Sequence, residues 1–332
     1  MILPRRLSSV LLVSVPILSS LVSLTACAPL KVRMGLRTPL EQTSITSIRA
    51  ALAKEPAIAP GEKAPLIVSF TGADGRVLET EGKGHGKVLW SDLKLDATVV
   101  SANNKGVLSL PADPRVSDGQ RGHVTITVPS HPDLRAELEV PLRYDYPYAA
   151  YFTGSAGNSG FDGTSGIDGS SGMSGSLDPA HPSSGGDGGN GSKGSDGSRG
   201  RDGSDAPAVQ VRVTLKPGAS PVLLEVEVSA RGAKSYYLVD PQEGSLTVSA
   251  RGGDGGRGGT GGRGGHGGSG GIGSPSGRSG MDGSSGSDGS RGSDGHDGKI
   301  TVIYDPQAGP YLSAIRGFPK PVMTEQAVPA LW

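Results

Sequence analysis

From about Ile45 to Tyr148, apolar and polar residues alternate in short runs, the period-two pattern of half-buried strands. Leu66-Ile67-Val68-Ser69-Phe70 is an apolar run closed by the turn Gly72-Ala73-Asp74-Gly75. Val88-Leu89-Trp90 leads into Leu93, Leu95, Ala97 and Val99, and Val107-Leu108-Ser109-Leu110 follows the turn Asn103-Asn104-Lys105-Gly106. Val124, Ile126 and Val128 alternate with threonines, while Leu134, Ala136, Leu138 and Val140 alternate with Arg135, Glu137 and Glu139. About seven short strands over roughly 100 residues predict a β-sandwich spanning residues 45–150. The pattern returns in residues 206–251, where Val209, Val211, Val213 and Leu215 form one strand and Val222, Leu224, Val226 and Val228 another. Tyr236–Val239, Leu246–Ala250 and Lys299–Tyr304 predict three more. After Asp305 the chain has no periodicity and many prolines, which predicts a tail (within 299–332) lying over the surface.

Between these β regions the period changes to three. Glycine recurs at every third position in four arms, Gly154–Gly175, Gly185–Gly203, Gly252–Gly273 and Gly277–Gly298. Three is the repeat of polyproline II, which places every third side chain on one edge, and glycine on that edge means a neighbouring backbone too close for a Cβ. Arms 1 and 2 are joined by Ser176–Ser184, and arms 3 and 4 by Ser274-Pro275-Ser276, so each array reads as a hairpin (151–205 and 252–298). Arm 3 is GGX throughout and arm 4 is GXX, which predicts an inner rod beside an outer one. Each 22-residue arm would be about 68 Å long at about 3.1 Å per residue. In arm 1, Phe161, Ile167 and Met173 share an edge that is expected to face protein, and Asp162 and Asp168 one that faces water. Because each array begins and ends at a strand, each hairpin is expected to return the chain to the same sheet.

The folded-back glycine arms resemble the polyproline II bundles of springtail antifreeze proteins, which implies a four-rod bundle within one chain. The alternatives are a collagen-like stalk of three chains and a flexible glycine linker. The triplets contain no proline, which disfavours collagen, and they keep strict phase, which disfavours a linker. A monomer is therefore preferred over a homotrimer. The first β region resembles the immunoglobulin-like modules of bacterial surface proteins. The expected class is mainly β, a sandwich plus a smaller sheet module carrying two hairpins of rods.

Composition and charge narrow the function. Lys plus Arg and Asp plus Glu number 32 each, so no net field draws the chain to nucleic acid. Of the 55 glycines, 40 fall in the arms, which leaves ordinary globular sequence elsewhere. Arg5 and Arg6 precede an apolar run that ends Leu24-Thr25-Ala26-Cys27, and Cys27 is the only cysteine. This resembles a bacterial lipobox, which implies removal of residues 1–26, acylation of Cys27 and membrane anchoring through a tether, 27–44. Ala28 after the cysteine points to the outer membrane.

No catalytic constellation emerges, and no enzyme or cofactor is expected. The six histidines have no metal-ligand spacing, and Gly82–Lys87 lacks the P-loop frame. Asp254, Asp282, Asp288, Asp294 and Asp297 raise calcium, but the aliphatic residues of a calcium-binding β-roll are absent. Arg251, Arg257 and Arg263 begin Arg-Gly-Gly triplets resembling those of RNA-binding proteins; on an exported chain they read as surface charge. The candidate binding residues are aromatic: Trp90, and the cluster Tyr144, Tyr146, Tyr148 and Tyr151, which also reads as a packed junction between sandwich and rods. Two functions follow, a structural or display lipoprotein of the envelope, and an adhesin or glycan-binding module.

Overall fold

The computed structural model describes residues 37–332. Cys27 and the expected lipobox lie outside the described residues. The fold is mainly β, with short 3-10 helices.

The first unit contains β1 (Ile45–Leu52), β2 (Lys63–Gly72), β3 (Val77–Glu79), β4 (Lys94–Thr98), β5 (Ser101–Ala102), β6 (Val107–Ser109), β7 (Gly122–Val128) and β8 (His131–Val140). One antiparallel sheet runs β1-β2-β6-β5, with β3 added on β2, and the other runs β4-β7-β8. Alternation fills the space between the sheets: Val68, Phe70, Leu108, Val124, Ile126 and Val140 are all fully buried in one core. Segment 37–44, expected to be tether, is instead attached to this unit. Leu40 is 1% exposed in its core, and Arg37 Nη2 pairs with Asp92 Oδ1 at 2.6 Å.

The second unit is a platform of two sheets. Its strands are β9 (Pro147–Tyr151), β10 (Val209–Leu215), β11 (Leu224–Ala230), β12 (Ala233–Val239), β13 (Ser245–Ser249), β14 (Ile300–Tyr304), β15 (Ile315–Phe318) and β16 (Val322–Glu325). The five-stranded sheet runs β12-β11-β10-β14-β16 and the three-stranded sheet β15-β13-β9, with one core between them that includes Tyr148, Val211, Val226, Val248, Ile300 and Val302. Two expectations are corrected here. Pro147–Tyr151 does not close the sandwich but pairs in parallel with β13. The segment after Asp305 is not a loose tail: it forms a 3-10 helix, Pro306–Ala314, and two sheet strands, with Ala308, Ala314 and Ile315 in the core.

The glycine arms stand on this platform. Arm 1 leaves from β9 and arm 3 from β13, both in the three-stranded sheet. Arms 2 and 4 return to β10 and β14 in the other sheet, so the hairpins cross from one sheet to the other rather than returning to the same one. Strand register passes straight into rod register: Phe152 N bonds to Ser249 O, Gly154 N to Arg251 O, and Gly157 N to Asp254 O. The ladder then repeats every three residues to Gly175 N and Ile272 O. On the return side, β10 and β14 pair in parallel, and the ladder from Gly185 N–Pro275 O to Ala206 N–His296 O runs in phase with them.

Five hydrogen-bond ladders, one of them central, define a two-layer bundle. Arm 2 runs antiparallel to arm 1 (Ser195 N to Thr164 O, 2.9 Å) and to arm 3 (Gly262 N to Ser195 O, 2.8 Å). Arm 4 runs antiparallel to arm 3 (Gly286 N to Gly262 O, 2.8 Å). Arms 2 and 3 each touch the other three and form the centre, while arms 1 and 4 are peripheral. The glycine pattern has this cause. A Cβ on Gly262 would lie 1.9 Å from Thr164 O in arm 1, and one on Gly261 would lie 2.1 Å from Gly286 O in arm 4. Arm 3 needs glycine on both edges because it is enclosed on both.

Candidate recognition surface

The outward rows of the bundle are fixed by the same hydrogen bonds. In arms 1, 2 and 4 each triplet has one inward glycine, leaving two other rows. In arm 1 the row after glycine is Ser155, Asn158, Phe161, Thr164, Ile167, Ser170 and Met173. Its amides point to arm 2 and donate to serine hydroxyls there: Phe161 N to Ser198 Oγ (2.6 Å), Thr164 N to Ser195 Oγ (2.7 Å) and Ile167 N to Ser192 Oγ (2.6 Å). Its side chains point to solvent. Phe161 is 84% exposed, Ile167 79% and Met173 86%, so the edge expected to face protein does not. The reason is geometric: a rod whose third edge already packs between arms 2 and 3 has no neighbour left to cover another. Ile272 in arm 3, Met281 in arm 4 and Leu177 in the first loop are also exposed.

The aspartates do more than face water. Asp162 Oδ1 accepts from Thr260 N and Asp168 Oδ1 from His266 N, both at 2.7 Å, which ties arm 1 to arm 3. Asp282, Asp288, Asp294 and Asp297 of arm 4 accept from Gly267, Gly261, Gly255 and Gly252 of arm 3. Asp187, Asp196 and Asp202 of arm 2, and Asp205 just after it, accept from Arg278, Ser287, Ser293 and His296 of arm 4. Each takes an amide that no backbone carbonyl reaches, meeting the requirement that peptide N–H groups be paired. The bond from the Thr260 amide holds the Asp162 carboxyl below its usual range, and those from Ser287 and His296 do the same for Asp196 and Asp205. Four of the five aspartates considered for calcium are engaged in this way. Among the described residues no three His, Cys, Asp or Glu side chains are grouped to hold a metal ion.

The aromatic candidates divide. Trp90 is 5% exposed in the sandwich core, with its indole N–H donating to Glu81 O at 3.3 Å. A Cβ on Gly106, at φ +66°, would fall 2.1 Å from its ring, so the turn is shaped around the tryptophan. Burial removes Trp90 from the binding candidates. Tyr148 is 7% exposed in the platform core, with ring centroids 5.3 Å from Tyr146 and 5.7 Å from Tyr237. Burial pushes its phenol far up. Tyr144 is half-buried, its phenol also raised by burial, and its carbonyl accepts from Asp240 N. Tyr144, Tyr146 and Tyr148 therefore form a packed junction, and only Tyr151, 72% exposed at the foot of arm 1, remains available to a ligand. The more available residues are Phe161, Ile167 and Met173, whose period-three spacing was visible but whose exposure depended on which rods arm 1 touches.

Among the described residues no helix is long and apolar enough to cross a membrane. No protein-family model matches the chain, and no curated protein matches it in sequence.

Proposed function

We propose that this chain is a non-enzymatic lipoprotein of the bacterial envelope that displays a stiff four-rod bundle away from the membrane. The observation that carries this reading is the clamping of both ends of each rod hairpin by paired platform strands, which fixes rod direction and register at the base. Leu24-Thr25-Ala26-Cys27 supplies the anchor in this reading, with Ala28 directing the protein to the outer membrane. The test is metabolic labelling with palmitate in a bacterial host, followed by membrane fractionation. The wild type is expected to carry label and sediment with the membrane, and Cys27→Ser to lose both. An unlabelled, freely soluble wild type would end the proposal.

A second reading, an adhesin or glycan-binding module, is favoured by one observation: Phe161, Ile167 and Met173 are held exposed in one row of an ordered rod. Replacing all three with serine is expected to change stability by less than about 0.5 kcal/mol, because they contact little. If the row recognises a ligand, binding to glycan arrays or whole cells falls to background in the triple variant. Equal binding by both proteins excludes the row.

A further inference from the structure

Glu225 is the residue whose surroundings the rod architecture does not explain. It lies on β11, on the face away from the platform core, where alternation predicts solvent. It is instead fully buried. The cover is segment 326–332, a strap across the five-stranded sheet. Gln326 N bonds to Tyr304 O, Val328 N to Asp305 Oδ2, and Thr214 Oγ1 to Val328 O, while Leu331 N donates to Glu225 Oε2 at 2.8 Å. The other oxygen, Oε1, is buried without a hydrogen-bond partner.

One cation serves two acids at this point. Lys216 Nζ is 3.9 Å from Glu225 Oε1 and bonds directly to Asp118, which belongs to the sandwich. Asp118 Oδ2 also accepts from the Trp332 indole N–H at 2.9 Å, and Trp332 packs edge-on against Tyr236. Tyr236 in turn lies under the sandwich residue Arg115, 3.6 Å from its ring centroid, and Arg115 is bound to Asp113. The remaining charges on this sheet face are already paired: Glu227 with Lys234 at 3.1 Å and Arg212 at 3.8 Å. The sheet neighbours of Glu225, Thr214 and Leu238, are uncharged. With Glu225 ionised, one carboxylate charge at the joint has no counter-charge of its own, which is costly where water is excluded.

We propose that Glu225, Lys216 and Asp118 form a proton-operated clasp between sandwich and platform, closed when Glu225 carries a proton and loosened when it ionises. Burial pushes the Glu225 carboxyl up, and the Leu331 amide and Lys216 only partly offset it. Burial also pushes Asp118 up, but the bonds from Lys216 and Trp332 outweigh it and the net direction is down. On acidification Glu225 therefore takes the proton while Asp118 stays ionised and keeps Lys216. A raised carboxyl pKa means the folded form holds the proton more tightly than the unfolded chain. Clasp stability is thus greatest at low pH and falls as pH rises through the folded-state value.

The experiment is a pH titration of tryptophan fluorescence on the full chain, comparing wild type, Glu225→Gln and Trp332→Phe. The wild type is expected to titrate with a midpoint above the usual glutamate value of about 4.3. Trp332→Phe, which leaves only Trp90, should lose that transition, and Glu225→Gln should keep the low-pH signal throughout. Hydrogen exchange of residues 326–332 in the wild type gives an independent reading if Glu225→Gln fails to fold. Corrected for intrinsic rates, protection should drop at least tenfold across the same midpoint. A flat Trp332 signal with pH-independent protection overturns the clasp, as does an unchanged midpoint in Glu225→Gln.

Discussion

Glycine in the arms is a distance requirement more than a conformational one. Gly262 has the oxygen of Thr164 where a Cβ would sit, at 1.9 Å, and neither backbone can retreat without breaking its own ladder. Gly262→Ala is expected to cost about 3 kcal/mol or more, read as lost cooperative unfolding of the bundle. Gly189 provides the contrast. A Cβ there meets Ser170 Oγ at 3.0 Å and Ser170 N at 3.2 Å, in the row where Ser192, Ser195 and Ser198 already hydrogen-bond to arm 1. Gly189→Ser is expected to keep the wild-type Tm, its hydroxyl accepting from Ser170 N; a loss as large as that of Gly262→Ala would contradict this. The aspartates add a pH dependence. The lowered pKa values of Asp162, Asp196 and Asp205 stabilise the bundle above the ordinary aspartate value of about 3.9 and cease to do so as pH falls through the lower folded-state values. Acid titration of Tm should show that decline, and Asp162→Asn should flatten part of it.

At the level of elements, period three and period two were both legible, because each follows from one chain's own geometry. The inner position of arm 3 was legible too, since GGX leaves two edges bare. Partner identity was less so. Nothing in Phe161-Asp162-Gly163 says that Phe161 faces water and that Asp162 reaches Thr260, a residue 98 positions away. Pro147–Tyr151 read as the end of the sandwich because its alternation is the same in either sheet, and its parallel partner β13 is distant in sequence. β15 and β16 have four residues each, too short to carry a period against Pro319 and Pro321. Glu225 obeys alternation, a polar residue on the outer face, and is buried because a strap from the far end of the sequence crosses it. Cutting that strap, by removing residues 326–332, is expected to expose Glu225 and to lower Tm. An unchanged Tm would show that the strap contributes nothing to stability.

For the whole molecule, the order is sandwich, platform and rods, with the two β units joined at Asp118–Lys216 and Arg115–Tyr236. The platform sets register by its parallel pairs β9–β13 and β10–β14, and the rods extend that register without strands or helices of their own. Whether these rods are ordered within a single chain is read out by amide hydrogen exchange resolved by residue. Arm 3 supplies the discriminating positions. Thr260 N and His266 N bond to Asp162 and Asp168, whereas Arg257 and Arg263 stand opposite Ser159 and Ser165. Exchange is expected to be slow at Gly253, Gly256, Gly259 and Gly262, slow at Thr260 and His266, and fast at Arg257 and Arg263. Uniformly fast exchange, as in a linker, would contradict this, and so would protection confined to one glycine per triplet, as in a collagen-like trimer.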